Sequence, residues 1–212
     1  MNMLGAFDAR FLPPVLGADE VGTGSWAGPI TVAAVVLPAD REILRALEAA
    51  GLTDSKRMNR GSRDRLFAAM EEHCVWYTVH SVAARELDVI GQGPCLNRLF
   101  EQVIYDGLRG PCPKTCLIDG SPRPVPWKPV FIEKGDTLSL AIAAASVVAK
   151  VHRDRDMILM DEYYPGYGFA NHVGYGTAEH LEALKRLGPC DLHRRSVKPV
   201  RELSALDNGP LW

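Results

Sequence analysis

The chain has 212 residues, of which 47% are hydrophobic and 24% charged, the composition of an ordinary globular protein. Its formal net charge of −2 excludes a generally basic nucleic-acid coat protein, and no apolar run reaches the roughly 18 residues that a membrane-spanning helix needs. The first residues do not show a charged segment followed by an apolar one, so we expect no secretory signal, no membrane partner and a cytoplasmic location.

The hydrophobic pattern of the first two thirds of the chain predicts an initial hairpin followed by alternating helices and strands. Residues 15–19 and the β-branched run 30–37 are predicted strands, and a glycine-rich turn joins them. Helical periodicity and short apolar runs then predict helices at 41–50, 62–73, 84–90 and 95–108, and strands at 75–82, 115–118 and 130–133.

A long helix is predicted to begin near Thr137, and it is apolar on most sides, which indicates a buried central position. Residues 163–177 contain too many glycines and aromatic residues for regular structure, and a last helix is predicted at 178–187. This order of elements favours an α/β fold, with helices packed on a sheet. We expect a catalytic domain at 15–165 and a small helical C-terminal lobe with its tail at 166–212.

The segment 185–201 is rich in cations and is a candidate basic surface within a near-neutral chain. A solvated face without a ligand explains the same charges equally well. Its basic residues are Lys185, Arg186, Arg194, Arg195, Lys198 and Arg201.

Carboxylates follow three predicted strands. Asp19 and Glu20 end the first strand, Asp119 ends a later one, and Asp136 follows a third and opens the long helix. The ends of strands in open α/β sheets are where sites are usually built, so these side chains are expected to converge. Clustered carboxylates repel one another unless cations occupy the cluster, and hard oxygen ligands suit Mg²⁺ or Mn²⁺.

Each of these acidic residues also has an ordinary structural explanation. An Asp-Gly pair such as Asp119-Gly120 is commonly a turn, and Asp136 could simply cap the helix that follows. The prediction of a metal site therefore rests on the joint pattern. Two ions roughly 4 Å apart could activate a water and stabilise the leaving oxygen of a phosphodiester, without any cysteine or histidine nucleophile.

Several motifs, in order along the chain, resemble those of the ribonuclease HII family. They are GADEVGTGSWAGP at 17–29, DSKRM at 54–58, Asp119-Gly120, KGD at 134–136, AAASVVAKVHRD at 143–154, and the late motifs that start at Tyr164 and His193. The resemblance covers roughly residues 17–200. Neither the long N-terminal extension of ribonuclease HIII nor the clamp-binding signature of some archaeal relatives is seen.

The resemblance implies a ribonuclease H-like fold, a central mixed sheet flanked by helices. It implies that Asp19, Glu20, Asp119 and Asp136 form a catalytic site with two Mg²⁺ or Mn²⁺ ions, the first aspartate bridging them. The implied substrates are RNA–DNA hybrids and duplex DNA containing ribonucleotides, with no obligate protein partner evident.

The resemblance also implies five substrate-binding residues. The glycine motif would contact a ribose 2′-hydroxyl, the group that distinguishes RNA from DNA. Tyr175 would stack on the sugar at the RNA–DNA junction, and Lys56 would contact phosphate, which positions the substrate without reading its sequence. The residues of the glycine motif are Gly22, Thr23 and Gly24.

This chain departs from the family pattern at several recognition positions. Thr23 stands where the family has Arg or Lys, Ser25 replaces a proline, Val173 replaces a frequent basic residue, and Val197 replaces an aromatic residue. The acidic positions are intact, which favours hydrolysis. Recognition of the junction is therefore where this chain is expected to differ.

Two other functions compete with an endoribonuclease. One is a nucleic-acid binding homologue with altered junction specificity or reduced catalysis, which the complete acidic set disfavours. The other is a related metal nuclease with another substrate, such as branched DNA, which would cleave without any need for a 2′-hydroxyl.

Overall fold

The computed structural model describes residues 3–52, 58–73 and 75–207. Its central sheet has five strands, which are β1 (Val15–Val21), β2 (Ile30–Val36), β3 (Trp76–Val82), β4 (Thr115–Asp119) and β5 (Val130–Ile132). Their order in the sheet is β3-β2-β1-β4-β5. Strands β1 and β2 pair antiparallel, whereas β1 with β4 and β4 with β5 pair parallel, so the sheet is mixed as expected.

The helices confirm most of the predicted ones, with small shifts at their ends. The helices are α1 (Met3–Asp8), α2 (Arg41–Ala49), α3 (Arg60–Glu72), α4 (Ala84–Ile90), α5 (Gln92–Arg109), α6 (Leu140–Tyr163), α7 (Phe169–His172), α8 (Ala178–Leu187) and α9 (Lys198–Asp207). Three of these were not predicted. Helix α1 is only six residues long, α7 is a four-residue turn inside 163–177, where no regular structure was expected, and α9 begins within the cation-rich segment.

The long helix begins three residues later than predicted. Gly135–Thr137 form a separate turn of 3-10 helix, entered through Lys134 in the left-handed conformation, and α6 starts at Leu140. Leu138 extends the apolar pattern to the N-terminal side of the helix although its side chain is exposed, so periodicity alone placed the start too early. Asp136 thereby lies in a tight turn and not in the helix.

Strand β1 and helix α6 are packed unusually closely. Gly17 faces the helix backbone, where a β-carbon would overlap the carbonyl group of Ala141 and the nitrogen of Ile142. Ala143, Ala144 and Ala145 are fully buried in the following turn, and such small side chains let a helix backbone approach a sheet. This contact fixes the depth of α6 beneath the strand that carries Asp19 and Glu20.

Contacts divide the chain into two compact units, each made of several segments. The first unit contains Met1–Val21, Thr31–His80 and Asn97–Val151, and the second contains Gly22–Ile30, Ser81–Leu96 and His152–Trp212. The predicted domains, 15–165 and 166–212, are each one continuous stretch of the chain, and this division stays a prediction. Among the described residues, no helix is both long and apolar enough to cross a membrane.

The close packing at Gly17 leads to a stability prediction. Gly17→Ala should lower the free energy of unfolding by about 1–3 kcal/mol, because the added methyl group forces strand and helix apart. Chemical denaturation monitored by circular dichroism measures this change. Gly93→Ala is the matched control, since a β-carbon at Gly93 in α5 meets nothing within 4 Å. An undiminished stability in Gly17→Ala would contradict the packing described here.

Candidate active site

Three of the four predicted acidic residues lie side by side at one edge of the sheet. Ala18 of β1 is in register with Ile118 of β4, so Asp19 and Asp119 follow at the same level on adjacent parallel strands. Glu20 is the next residue of β1. The parallel pairing brings the carboxyl ends of the two strands together and thus gathers residues that are about 100 positions apart in the chain.

Burial and mutual repulsion raise the pKa of two of these carboxyl groups. Asp19 is only 6% exposed, and its burial is the largest cause that raises its pKa well above the ordinary value. The negative charges of Asp119 and Glu20 raise this pKa further, whereas a hydrogen bond from Ser146 lowers it. Burial also raises the pKa of Glu20, while Arg123, 3.9 Å from it, opposes the shift. In the metal-free protein, ionising this site therefore costs free energy.

Asp136 is placed next to this group by its neighbour in the chain. The amide of Gly135 donates a hydrogen bond of 2.5 Å to Oδ1 of Asp119, and the Asp136 side chain is 8% exposed. Any larger residue at position 135 would be in steric conflict, since a β-carbon there would overlap the side chain of Ile142 and crowd that of Asp119. The turn that follows β5 therefore holds the side chain of Asp119 through the backbone amide of Gly135, and the same turn carries Asp136.

The composition and environment of these four residues fit hard divalent cations. All their donor atoms are carboxylate oxygens, and within the described part of the chain the buried Oε2 atom of Glu20 accepts no hydrogen bond. Among the described residues, no group of three or more His, Cys, Asp or Glu side chains has the arrangement of a metal site. In proteins Mg²⁺ is usually held by one or two carboxylates together with several waters and substrate phosphates.

The glycine motif begins directly after β1 and is held by two buried arginines of the second unit. Arg153 donates to the carbonyl groups of Ala27, Pro29 and Val173 and to the hydroxyl of Ser25.

Arg194 holds the same loop from further along the chain. It donates to the carbonyls of Gly28 and Pro29, with a longer contact of 3.4 Å to that of Thr23. Burial, followed by the charge of Arg153, lowers the pKa of Arg194 to about 10. The two guanidinium groups thus replace water as partners of the loop carbonyls.

The three residues of the glycine motif differ in their surroundings. Gly22 has φ +90° and a β-carbon there would overlap Arg153, so this position requires glycine. Thr23 is half-buried. Gly24 is exposed, and a β-carbon there would meet nothing within 4 Å, so packing does not explain the missing side chain at this position.

Tyr175 lies beside the glycine loop within the second unit. It forms an isolated antiparallel bridge with Ser25, and the amides of Trp26 and Ala27 donate to the carbonyl of Gly174. The guanidinium of Arg153 lies 5.3 Å from the centre of the tyrosine ring. One loop and one turn thereby present Thr23, Gly24 and Tyr175 together.

The remaining predictions have different outcomes. Lys56, with most of the DSKRM motif, lies outside the described residues. The cation-rich segment is not uniformly at the surface, because Arg194 is 2% exposed and faces backbone carbonyls. Sequence reasoning missed the contacts of Ser146 and Arg123 with the acidic group, because neither residue carries a local signal. Arg153, like Lys150, is a cation on a helix that the sequence predicts to be buried, and packing or ion pairing was the expected role of both; Arg153 in fact bonds the carbonyls of the glycine loop.

Comparison with known proteins gives a consistent family relationship. The family model described as Ribonuclease HII matches residues 16–200. A "Ribonuclease HII" of Halorhodospira halophila is 43% identical over 194 residues, covering 89% of this chain and 94% of that protein.

Two solved structures have the same fold. The ribonuclease HII in a complex with PCNA from Archaeoglobus fulgidus is 26% identical, with a TM-score of 0.71 over 88% of this chain and 96% of that one. Bst-RNase HIII, solved with Mn²⁺, is 20% identical, with a TM-score of 0.73 over 91% of this chain and 69% of that one.

The raised pKa of Asp19 predicts that this residue destabilises the metal-free fold. The folded state binds a proton more readily than the unfolded state, so ionisation at neutral pH weakens folding. In EDTA at pH 7.5, Asp19→Asn should raise the midpoint of thermal unfolding by about 2–4 °C, the shift expected for ~1 kcal/mol in a chain of this size. Added Mg²⁺ should stabilise the unsubstituted protein more than the variant.

Asp191→Asn is the charge-matched control, because Asp191 is exposed on a loop. It should leave both the midpoint in EDTA and the response to Mg²⁺ unchanged. A lower midpoint for metal-free Asp19→Asn would show that the repulsion inferred here does not govern stability.

Proposed function

The chain belongs to the ribonuclease HII family, and on that premise we propose that it cuts the RNA strand of RNA–DNA hybrids and ribonucleotides embedded in duplex DNA by a two-metal-ion mechanism. As a member of this family it is a nuclease, a metal-dependent phosphodiester hydrolase. The observation that carries the proposal is the acidic edge formed by the buried Asp19 and the half-buried Glu20 and Asp119, with Asp136 in the adjoining turn.

The four carboxylates have different tasks in this proposal. Asp19 experiences the charges of both Glu20 and Asp119, which is the central position expected of a ligand shared by two ions. The Gly135 amide occupies Oδ1 of Asp119 and so orients that carboxylate. Glu20 and Asp136 would supply further carboxylate ligands. When bound, Mg²⁺ or Mn²⁺ would lower the pKa of an attacking water and stabilise the leaving oxygen.

We propose either Mg²⁺ or Mn²⁺ as the cation, because carboxylate oxygens bind both. The Mn²⁺ complex of Bst-RNase HIII supports a divalent ion at this kind of site. The carboxylates repel one another without a cation, so the ions would enter a site that already favours positive charge, and the bound ions would then attract the substrate phosphate.

Recognition of RNA is proposed for the glycine loop and Tyr175. The open space at Gly24 leaves room for a sugar to approach the loop backbone, where N–H groups could bond a 2′-hydroxyl. The Tyr175 ring would stack on the sugar at the junction. Lys56 would add a phosphate contact that is independent of sequence. We propose that the protein acts in the cytoplasm on nucleic acid, without an obligate protein partner.

A panel of four duplexes tests this function. The substrates are DNA with one ribonucleotide, a long RNA–DNA hybrid, pure DNA and branched DNA, each with Mg²⁺ or Mn²⁺. Cleavage of the first two only is expected. Binding without cleavage in either ion would refute the enzyme, and equal cleavage of pure or branched DNA would refute the requirement for a 2′-hydroxyl.

Asp119→Asn should abolish cleavage while leaving the fold intact. The amide oxygen of asparagine can still accept the hydrogen bond from Gly135, but the charge that would bind a cation is lost. Turnover in Mg²⁺ and in Mn²⁺, with circular dichroism as the check of folding, measures the effect. Asp191→Asn serves as the matched control with full turnover. Retained activity of Asp119→Asn would argue against the assigned site.

Thr23→Arg should strengthen binding at low salt by restoring the cation that the family carries at this position. One additional phosphate contact steepens the slope of log K against log[salt] by about 0.9 for duplex DNA. Fluorescence anisotropy with a labelled duplex, in Ca²⁺ to suppress turnover, measures the slope for each variant. An unchanged slope would mean that this side chain does not reach phosphate.

A further inference from the structure

Three buried histidines of the second unit surround the turn that carries Tyr175. His172, His180 and His193 are 7%, 0% and 2% exposed, and the rings of His172 and His180 stack with centroids 4.3 Å apart. The proposed hydrolysis uses none of them. Buried histidines with several ring contacts are often simply packed, so their hydrogen bonds must show whether they do more.

The hydrogen bonds of His180 and His193 are compatible with one arrangement of protons. Nδ1 of His180 lies 2.9 Å from the carbonyl of Tyr175, which can only accept, so Nδ1 carries the hydrogen. The bare Nε2 of neutral His180 then accepts from Nε2 of His193, 3.1 Å away. This leaves Nδ1 of His193 bare, and the amide of Cys190 does donate to it, at 3.0 Å.

The third histidine holds the other side of the same turn with an equally defined tautomer. The amide of Gly174 donates to Nδ1 of His172, so the hydrogen of the neutral ring is on Nε2, which lies 2.9 Å from the carbonyl of Tyr167. His172 and His180 therefore bond the backbone of two consecutive residues, Gly174 and Tyr175. The turn is fixed from both sides by imidazoles of defined orientation.

A proton added to this series of hydrogen-bonded histidines would make two N–H donors point at each other. If His180 gained a proton on Nε2, that hydrogen would oppose the one on His193; moving the latter to Nδ1 would oppose the amide of Cys190. Burial, the largest cause for both, together with neighbouring histidines, lowers the pKa of His180 and of His193 to about 4. His180 and His193 therefore each keep one tautomer at neutral pH.

We propose that His172, His180 and His193 are positioning residues that hold the backbone of the turn at Tyr175 and thereby set the ring of Tyr175 for junction recognition. The inference rests on the proposed function of Tyr175. The hydrogen-bond arrangement itself can be measured independently of activity.

The first test is spectroscopic and uses the unsubstituted protein. Long-range ¹H–¹⁵N correlation spectra should show His180 protonated at Nδ1, the less common form in solution, and His172 and His193 at Nε2. The signals of His180 and His193 should not change between pH 8 and pH 5.5. A protonated Nε2 on His180, or titration of His180 or His193 near the ordinary pKa of about 6.5, would overturn the arrangement.

The second test separates the hydrogen bond from the packing of the ring. His180→Asn keeps a donor near the Nδ1 position, whereas His180→Phe keeps an aromatic ring and loses the donor. We expect His180→Phe to raise KM for the single-ribonucleotide duplex by about tenfold, on the scale of one stacking contact, with kcat nearly unchanged, and His180→Asn to restore most of the affinity. Equal effects of both substitutions, or no effect, would overturn the proposal.

Two controls complete the design. His80→Phe removes a histidine of the first unit that pairs with Asp106 at 2.8 Å, and it should leave KM unchanged. In a Tyr175→Ala background, His180→Phe should have no further effect on KM, because the residue it positions is gone; an additive effect would overturn the proposal. Absence of any ribonucleotide cleavage by the unsubstituted protein would refute the proposed function and leave the spectroscopic result standing.

Discussion

The repulsion between the carboxylates near the ends of β1 and β4 is the constraint on which the site depends. Asp19 is almost fully buried between the charges of Glu20 and Asp119. The hydroxyl of Ser146, the backbone amides of Glu20 and Gly135 and the guanidinium of Arg123 oppose that repulsion. Such an arrangement survives because the surrounding sheet and helix hold the strands in register. The close contact of Gly17 with the backbone of α6 is part of that support.

The proposed catalytic edge and the proposed recognition loop are built with different physical means. The acidic edge stores unfavourable electrostatic free energy that bound cations would relieve. The glycine loop and the turn at Tyr175 are instead held by hydrogen bonds from the guanidiniums of Arg153 and Arg194 and from the buried histidines. A satisfied polar network is rigid, and rigidity is what the proposed contact of this backbone with a sugar would need.

The way the glycine loop is held explains what the threonine at position 23, where the family has a basic residue, would change. The carbonyls of the glycine loop are bound by Arg153 and Arg194, so the conformation of the loop depends on them far more than on the side chain at position 23. A threonine at that position keeps the backbone and loses a cation. The expected consequence is weaker, less salt-dependent attraction to phosphate with contact to the ribose retained.

The sequence by itself determined the fold class, the strands that carry Asp19 and Asp119, and the family, because alternating apolar runs and ordered motifs are local properties of a chain. The short helix α1 and the turn at Asp136 escaped prediction, since burial by distant segments and not local pattern defines them. Only the tertiary structure decided that Asp19 and Asp119 share one level of the sheet, that Ser146 bonds Asp19 and Arg123 pairs with Glu20, and that Arg194 is buried. These outcomes depend on strand register and packing across about a hundred residues, which no window of sequence records.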